Sequence, residues 1–233
     1  MSLIETTRPR LVPVTFDLYR DIHKGIRAEL FTITSSAGSL DPADQGARER
    51  LAGRVRRLVD LLVTHAEHED GAIQPVLEQQ LPDLAEQVAT DHETLEARVQ
   101  GLAVMADECV NEAEQHQRVA GHVLYLELAS FTSAYLAHQD LEERVLMPAI
   151  ERAVGVDEVI AIHQAIIGSM PPAELVPGLV AMIPAMNVDD RTELLAGIRM
   201  SGPPEAFDGV WELTGSLLDA TDLAALRARL GLA

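Results

Sequence analysis

The chain has 233 residues, of which 47% are hydrophobic and 3% aromatic, and its formal net charge is −19. So acidic a surface repels nucleic acid and anionic membranes, and no apolar run approaches the roughly 20 residues that span a bilayer. One cysteine excludes an internal disulfide, and the first residues lack a signal-peptide pattern, so we expect a cytoplasmic protein that binds neither nucleic acid nor membrane.

The chain opens with two predicted helices. From Phe16 to Leu30, apolar residues and His23 recur every three or four positions, which indicates one face of a first helix, and SSAGS ends it. The second helix is predicted to start with Asp41 as its N-cap and Pro42 at its first position.

Two further helices follow with the same periodicity. The third carries His92 on its inward face, and Asn111 with Glu114 predicts a capping box for the fourth, which carries His138. Short connections between four such helices are typical of an up-down-up-down bundle. The sequence therefore predicts an all-α fold with a four-helix bundle over residues 12–152.

Beyond Gly155 the pattern changes to several short helical stretches separated by prolines and glycines. Residues 157–233 therefore predict short C-terminal helices that form an extension rather than a second bundle. The apolar residues of this extension, including Trp211, need a surface on which to pack. That surface is either the bundle or a second subunit, so a homodimer is one expectation.

Two stretches of the bundle share one frame. HAEHEDGAIQP at 65–75 and HQDLEERVLMP at 138–148 each begin with His, place Glu four residues later and place Pro ten residues after the His. A helix with one inward His precedes each stretch, with His23 before the first and His92 before the second. A unit of one His helix and one HxxxE helix thus occurs twice, which predicts two similar hairpins packed with approximate two-fold symmetry.

The repeated frame predicts a metal site. Residues four apart on a helix point the same way, so each HxxxE presents an imidazole and a carboxylate together. Four nitrogens and two carboxylates suit a pair of iron or manganese ions, and a carboxylate can bridge two ions about 3.5 Å apart. A single His on an apolar face is more often a core residue than a ligand. Burying the whole set without partners, however, would cost several kcal/mol per group.

These residues resemble the hemerythrin-like family, also called the HHE cation-binding domain, over about residues 12–152. The resemblance implies a four-helix bundle that holds two non-heme iron ions, joined by an oxo or hydroxo bridge and by carboxylates. Such sites react with O₂, hydrogen peroxide or nitric oxide. Carried over to this chain, the resemblance implies four terminal ligands and two bridging carboxylates, which are His23, His65, His92 and His138, and Glu69 and Glu142, respectively.

The third helix departs from the oxygen carriers of that family. Oxygen carriers have HxxxH there, whereas this chain reads HETLE, with Glu96 in place of the second His. Glu96 is a candidate ligand, with a solvated or outer position as the alternative. A site poorer in nitrogen puts reversible O₂ transport in doubt and favours redox turnover or binding of another small molecule.

Two tyrosines are further candidates near the site. Tyr19 lies one turn before His23, and Tyr135 lies one turn before His138. Each is a candidate hydrogen-bond donor or metal ligand, and the alternative is a core tyrosine whose hydroxyl bonds to backbone or water. No catalytic residue beyond the metal site is predicted.

The pattern therefore predicts a di-iron protein that binds or turns over O₂, hydrogen peroxide or nitric oxide, in oxidative or nitrosative stress defence. If it is an enzyme, we expect a di-iron oxidoreductase acting on peroxide or nitric oxide. The alternative is a regulatory module, in which the metal state controls a partner-binding C-terminal extension.

Overall fold

The computed structural model describes residues 12–232, and every regular element within them is helical. A π-helical segment, Glu142–Leu146, follows α5. The α-helices are α1 (Arg20–Gly38), α2 (Gln45–Ala72), α3 (Gln74–Gln80), α4 (Pro82–Asn111), α5 (Glu114–Leu141), α6 (Met147–Val154), α7 (Val156–Ser169), α8 (Pro172–Ala185), α9 (Val188–Ser201), α10 (Pro204–Leu217) and α11 (Ala220–Leu230).

Contacts divide these residues into two compact units. The first comprises residues 12–20 and 30–169, and the second comprises residues 21–29 and 170–232. One helix, α1, is thus divided between the units. Its residues 21–29 belong to the second unit, and Arg20 and residues 30–38 belong to the first. The domain boundaries predicted from the sequence, 12–152 and 157–233, stay a prediction.

The first unit contains α2, α4 and α5 of the predicted four-helix bundle and the C-terminal half of α1. In it α2 packs against α4 and α4 packs against α5. The C-terminal half of α1 lies beside α5, where the hydroxyls of Thr34 and Thr132 form a 3.0 Å hydrogen bond. Leucines such as Leu58, Leu102 and Leu128 are fully buried. Burial of each such side chain stabilises the fold by roughly 1.5–3 kcal/mol. The all-α bundle with additional C-terminal helices is confirmed.

An apolar cluster joins the short helices of the first unit to the bundle. Leu77 of α3, Ile150 of α6 and Val159 of α7 pack in it with Tyr19 and Val88. Between α6 and α7, Gly155 has a φ of 84°. That left-handed conformation favours glycine and ends α6. These helices extend the apolar core beside the segments that carry Glu69 and Glu142.

The first two helix starts differ from the sequence prediction. Helix α1 begins at Arg20 rather than near Phe16, because the carboxylate of Asp17 accepts hydrogen bonds from the N–H groups of Tyr19 and Arg20 and holds the preceding residues in a turn. It then continues through most of SSAGS to Gly38. Serine and glycine are weak helix breakers that neighbouring packing overrides.

The N-cap of α2 is Asp44, not Asp41. The carboxylate of Asp44 accepts a 2.9 Å hydrogen bond from the N–H of Ala47, three residues on. Asp41 instead accepts from the N–H of Ala43 in the preceding turn. Asp41 and Asp44 each accept a backbone N–H in consecutive turns, and only the turn at Asp44 continues into a helix.

The predicted capping box of α5 is wrong. Ala113 is the N-cap residue and supplies no side-chain hydrogen bond. Asn111 instead ends α4, where its side-chain amide donates to the carbonyl of Asp107. The sequence motif falls on the boundary of two helices, and the local hydrogen bond within α4 is the one that forms.

The second unit is built from α8 to α11 and residues 21–29. Helix α9 packs with α10 and α11, and α10 packs with α8. The buried guanidinium of Arg191 donates to the carbonyl of Ile183 and to the carboxylate of Asp222, at 2.7 Å each, which ties α9 to the end of α8 and to α11. The four helices start at residues 172, 188, 204 and 220, a regular interval of 16 residues.

Among the described residues, no single helix is both long and apolar enough to cross a membrane, although α7 and α8 taken together have the length and composition to do so.

Candidate metal centre

The two HxxxE frames lie on α2 and at the end of α5. Nε2 of His65 is 3.1 Å from Oε1 of Glu69, and Nε2 of His138 is 3.3 Å from Oε1 of Glu142. Each imidazole therefore faces the carboxylate one turn along its own helix. Both pairs are largely buried, with side-chain exposures of 9% and 8% for the first pair and 4% and 1% for the second.

A proline interrupts the helix just after each frame. Pro75 lies in the first turn of α3, after a break at Ile73. Pro148 lies in the first turn of α6, after a π-helical segment in which the N–H of Met147 donates to the carbonyl of Glu142, five residues back. Proline lacks an N–H and clashes with the carbonyl four residues before it, so the backbone must break or widen upstream. The prolines thus shape the backbone that carries Glu69 and Glu142.

Four side chains, from α2, α4, α5 and the π-helical segment, converge on one point. One ligand atom each from Glu69, His92, His138 and Glu142 lies within 4.8 Å of the others, and all four residues are buried. Nε2 of His92 is 3.5 Å from Oε2 of Glu69 and 3.9 Å from Oε1 of Glu142. This arrangement of two imidazoles and two carboxylates could hold a metal ion.

A second group that could hold a metal ion is centred on His65 and Glu69. Glu69 belongs to both groups, and its two oxygens face different histidines, Oε1 toward His65 and Oε2 toward His92. A carboxylate so placed is suited to bridging two ions. Five of the six predicted ligands thus come together within the first unit.

The sixth predicted ligand, His23, lies on α1 and is fully buried. It shares one face of this continuous helix with Ile26 and Leu30, which are also fully buried, because residues three or four apart lie on one side. Its role as a ligand stays a prediction from the repeated frame.

Two aspartates outside the cluster contact the far side of the cluster's imidazoles. Oδ1 of Asp70 is 2.8 Å from Nδ1 of His92, and Oδ2 of Asp91 is 3.6 Å from Nδ1 of His138. At the shorter distance, Asp70 accepts the Nδ1–H of His92 and so leaves the Nε2 lone pair of that ring for a cation, whereas Asp91 acts on His138 through its charge. Both aspartates were missed in the sequence, where each is merely adjacent to a predicted ligand.

The cluster concentrates negative charge in a buried place. Burial raises the pKa of Glu69 well above its ordinary value, and the charges of Glu142 and Asp70 raise it further. Neither carboxylate oxygen of Glu69 forms a hydrogen bond within the described residues. Burial lowers the pKa of His138, but Glu142 and Asp91 outweigh it and the net shift is upward. A bound cation would relieve this charge, so the residues fit a metal centre.

The family model described as the hemerythrin HHE cation binding domain matches residues 14–150, more than half of the chain. The chain belongs to the hemerythrin HHE cation-binding domain family. The match covers all six predicted ligands and the helices that carry them. Neither a curated protein nor a solved structure matches the chain.

Two buried tyrosines of the HHE domain lie close to its acidic cluster. Burial raises the pKa of Tyr19 well above its ordinary value, and the charges of Glu142 and Glu69 add to the shift. The pKa of Tyr135 is raised by the same causes. Both hydroxyls therefore stay protonated and are able to donate hydrogen bonds. Whether either binds a metal stays a prediction.

A small cavity of about 60 Å³ adjoins the cluster of the HHE domain, between α2 and α4. Glu69, His92 and His138 line it together with apolar side chains, among which are Leu62, Val63, Leu95 and Val99. Glu96 also lines the cavity and is exposed, and it belongs to neither of the two groups that could hold a metal. Ligation by Glu96 stays a prediction.

Proposed function

We propose that this HHE domain binds two iron ions and that the iron site binds or turns over a small oxidant, namely O₂, hydrogen peroxide or nitric oxide. A role in oxidative or nitrosative stress defence follows from that chemistry. The observation that carries the proposal is the buried group of Glu69, His92, His138 and Glu142, with its raised carboxylate pKa and its adjoining cavity.

The proposed ligand set follows the two repeats. In this proposal the carboxylates of Glu69 and Glu142 would be shared between the two ions, and the imidazoles of His23, His65, His92 and His138 would complete the set. Imidazole nitrogen with carboxylate oxygen suits iron, and the absence of cysteine among these residues argues against a thiolate site. When bound, iron supplies the redox chemistry and open positions at which a small molecule can bind.

The size of the cavity supports a small ligand. A volume of about 60 Å³ is well below the roughly 300–1,000 Å³ of pockets for organic molecules, and also below the roughly 150 Å³ that admits benzene. Its apolar walls, Leu62 and Val99 among them, favour a neutral molecule over an anion. A neutral diatomic molecule or hydrogen peroxide meets both conditions.

The protein's own side chains would act on the ligand through hydrogen bonds. The protonated hydroxyl of Tyr135, which lines the cavity, can donate to a bound molecule. Asp70 orients the ring of His92. Glu96 is exposed on the cavity wall, at the position where an oxygen carrier has a further His. The carboxylate adds negative charge there in place of a nitrogen ligand, and this change favours turnover of O₂ over its reversible binding.

The proposal is tested by mixing the reduced, iron-loaded protein with hydrogen peroxide or nitric oxide and following the iron absorption in a stopped-flow instrument. We expect a rapid change with at least one of them, and consumption of several equivalents if the site turns over. Glu142→Gln should remove the response, whereas Glu93→Gln, at an exposed site beside His92, should keep it. An iron-loaded protein that is inert to O₂, peroxide and nitric oxide would contradict the proposed function.

A further inference from the structure

The helix that carries His23 belongs partly to the C-terminal unit. Residues 21–29 of α1 belong to the same compact unit as α8 to α11, although both ends of α1 belong to the first unit. A ligand-bearing turn and the C-terminal helices thus form one compact body. Two contacts within this body involve Gly25 and Lys24.

The first contact is a close backbone approach at Gly25. A Cβ atom at this position would lie 2.9 Å from both the carbonyl carbon and the carbonyl oxygen of Ala181, and 3.0 Å from the amide nitrogen of Met182. These are backbone atoms in the middle of α8 and cannot move aside as a flexible side chain would. Glycine in a helix interior is unfavourable by itself, so this close approach is the physical reason for it.

The second contact is an ion pair between Lys24 and Asp190. The Asp190 side chain is only 9% exposed and that of Lys24 is 31% exposed. Asp190 lies in the first turn of α9, where its N–H donates to the capping side chain of Asn187. The next residue, Arg191, bonds α9 to α8 and α11. Lys24 therefore pairs with a carboxylate whose helix is tied to α8 and α11 by hydrogen bonds.

Neither contact lies on the face of α1 that carries His23. Each residue of an α-helix turns by about 100°, so Lys24 and Gly25 are rotated by about 100° and 200° from His23. The contacts of Lys24 and Gly25 therefore fix the rotation of α1 about its axis, and with it the direction of the buried face that carries His23, Ile26 and Leu30. A shift of α8 or α9 would rotate or translate the His23 imidazole.

We propose that Gly25 and the Lys24–Asp190 pair are positioning residues, through which α8 and α9 hold His23 in place for metal binding. Iron binding and the ordering of the C-terminal unit then stabilise each other, because coupling between two events is reciprocal. The inference rests on the proposed function, since it takes His23 to be an iron ligand. It gives residues 170–232 a role in that site.

The test compares the full-length protein with Gly25→Ala and with a matched control, Gly101→Ala. Gly101 lies inside α4, the helix of His92, and a Cβ there would meet nothing within 4 Å. Two quantities are measured: iron affinity by competition with a chelator, and hydrogen exchange of the α8 and α9 amides with and without iron. We expect iron to slow this exchange in the wild type and in Gly101→Ala. Gly25→Ala should lower iron affinity by about tenfold and abolish the iron-dependent slowing.

A second pair of variants covers the case in which Gly25→Ala does not fold. Asp190→Asn should weaken iron binding and alter the iron absorption spectrum, and Asp190→Glu, which keeps the charge, should restore both in part. Wild-type affinity and spectrum in Asp190→Asn, or α8 and α9 exchange that does not respond to iron, would overturn this inference alone. A wild-type protein that binds no iron at all would overturn the proposed function and this inference with it.

Discussion

Nδ1 of His92 lies 2.8 Å from Oδ1 of Asp70, while Nε2 of the same ring faces the carboxylates of Glu69 and Glu142. Asp70 is the residue after Glu69 on α2, so one turn of this helix contacts both sides of the His92 ring. Because a carboxylate accepts the Nδ1–H, the Nε2 lone pair is left for a cation. Asp70 thus orients a predicted ligand that lies on a different helix.

Asp70→Asn is expected to weaken metal binding by about 10- to 100-fold, since an amide fixes the tautomer of His92 less well and makes its nitrogen a poorer donor. Chelator competition measures the change. Asp60→Asn, at an exposed site on the same helix, is the control and should bind metal as the wild type does. Equal affinities for all three proteins would show that the Asp70 contact does not orient His92.

Glu69→Gln is expected to have opposite effects with and without metal. The metal-free variant should be more stable than the metal-free wild type by about 1 kcal/mol, or about 2–4 °C in melting temperature, because a buried negative charge beside Glu142 is removed. With metal, the variant should be the less stable protein, because a bridging ligand is lost.

Thermal unfolding of both proteins with and without iron measures this crossover. Glu93→Gln, which changes an exposed carboxylate, should show no crossover. A Glu69→Gln protein that is destabilised equally in both states would indicate a structural role for Glu69 in place of a metal-binding one.

Ala66→Leu tests the cavity as the place of the small ligand. Ala66 lines the cavity between α2 and α4, and the larger side chain would fill much of its 60 Å³. Reaction with peroxide or nitric oxide should slow severalfold while the iron content stays the same. Ala97→Leu, at an exposed site on α4, serves as the control. If Ala66→Leu reacted at the wild-type rate, the ligand would have to reach the site by another path.

The absence of a second His on the third bundle helix predicts rapid oxidation in air. The reduced protein should give the oxidised absorption spectrum without a long-lived oxygenated species, because Glu96 replaces a nitrogen donor of the oxygen carriers. Glu96→His should lengthen the lifetime of any oxygenated species. An oxygenated wild-type spectrum that reverses when O₂ is removed would show that this departure does not prevent reversible binding.

The bundle could be predicted because its helices are long and their apolar faces are regular. The spacing of His65 with Glu69, and of His138 with Glu142, falls on those faces, so helix geometry alone brings each pair together. The N-cap of α2 was predicted wrongly as Asp41, because the choice between two nearby aspartates depends on which side chain accepts the N–H three residues on, and that is Asp44.

Features that depend on contacts between helices could not be predicted in the same way. Asp70 and Asp91 contact imidazoles on other helices, and nothing in their local sequence separates them from other acidic residues. The π-helical segment needed the combination of Pro148 with a buried Glu142. The assignment of Gly25 to the C-terminal unit depends on α8, more than 150 residues later in the chain. Helices α8 to α11 start every 16 residues. In the sequence only the first and third of these starts are marked by a proline, Pro172 and Pro204, so the interval is recognised only once the helices are known.

The most direct test of a di-iron centre is anaerobic titration of the metal-free protein with Fe(II), followed by elemental analysis after removal of unbound metal. We predict two iron ions per chain in the wild type, and loss of at least one of them in Glu69→Gln and in Glu142→Gln. One iron per chain, or zinc retained in preference to iron at a four-coordinate site, would contradict the account.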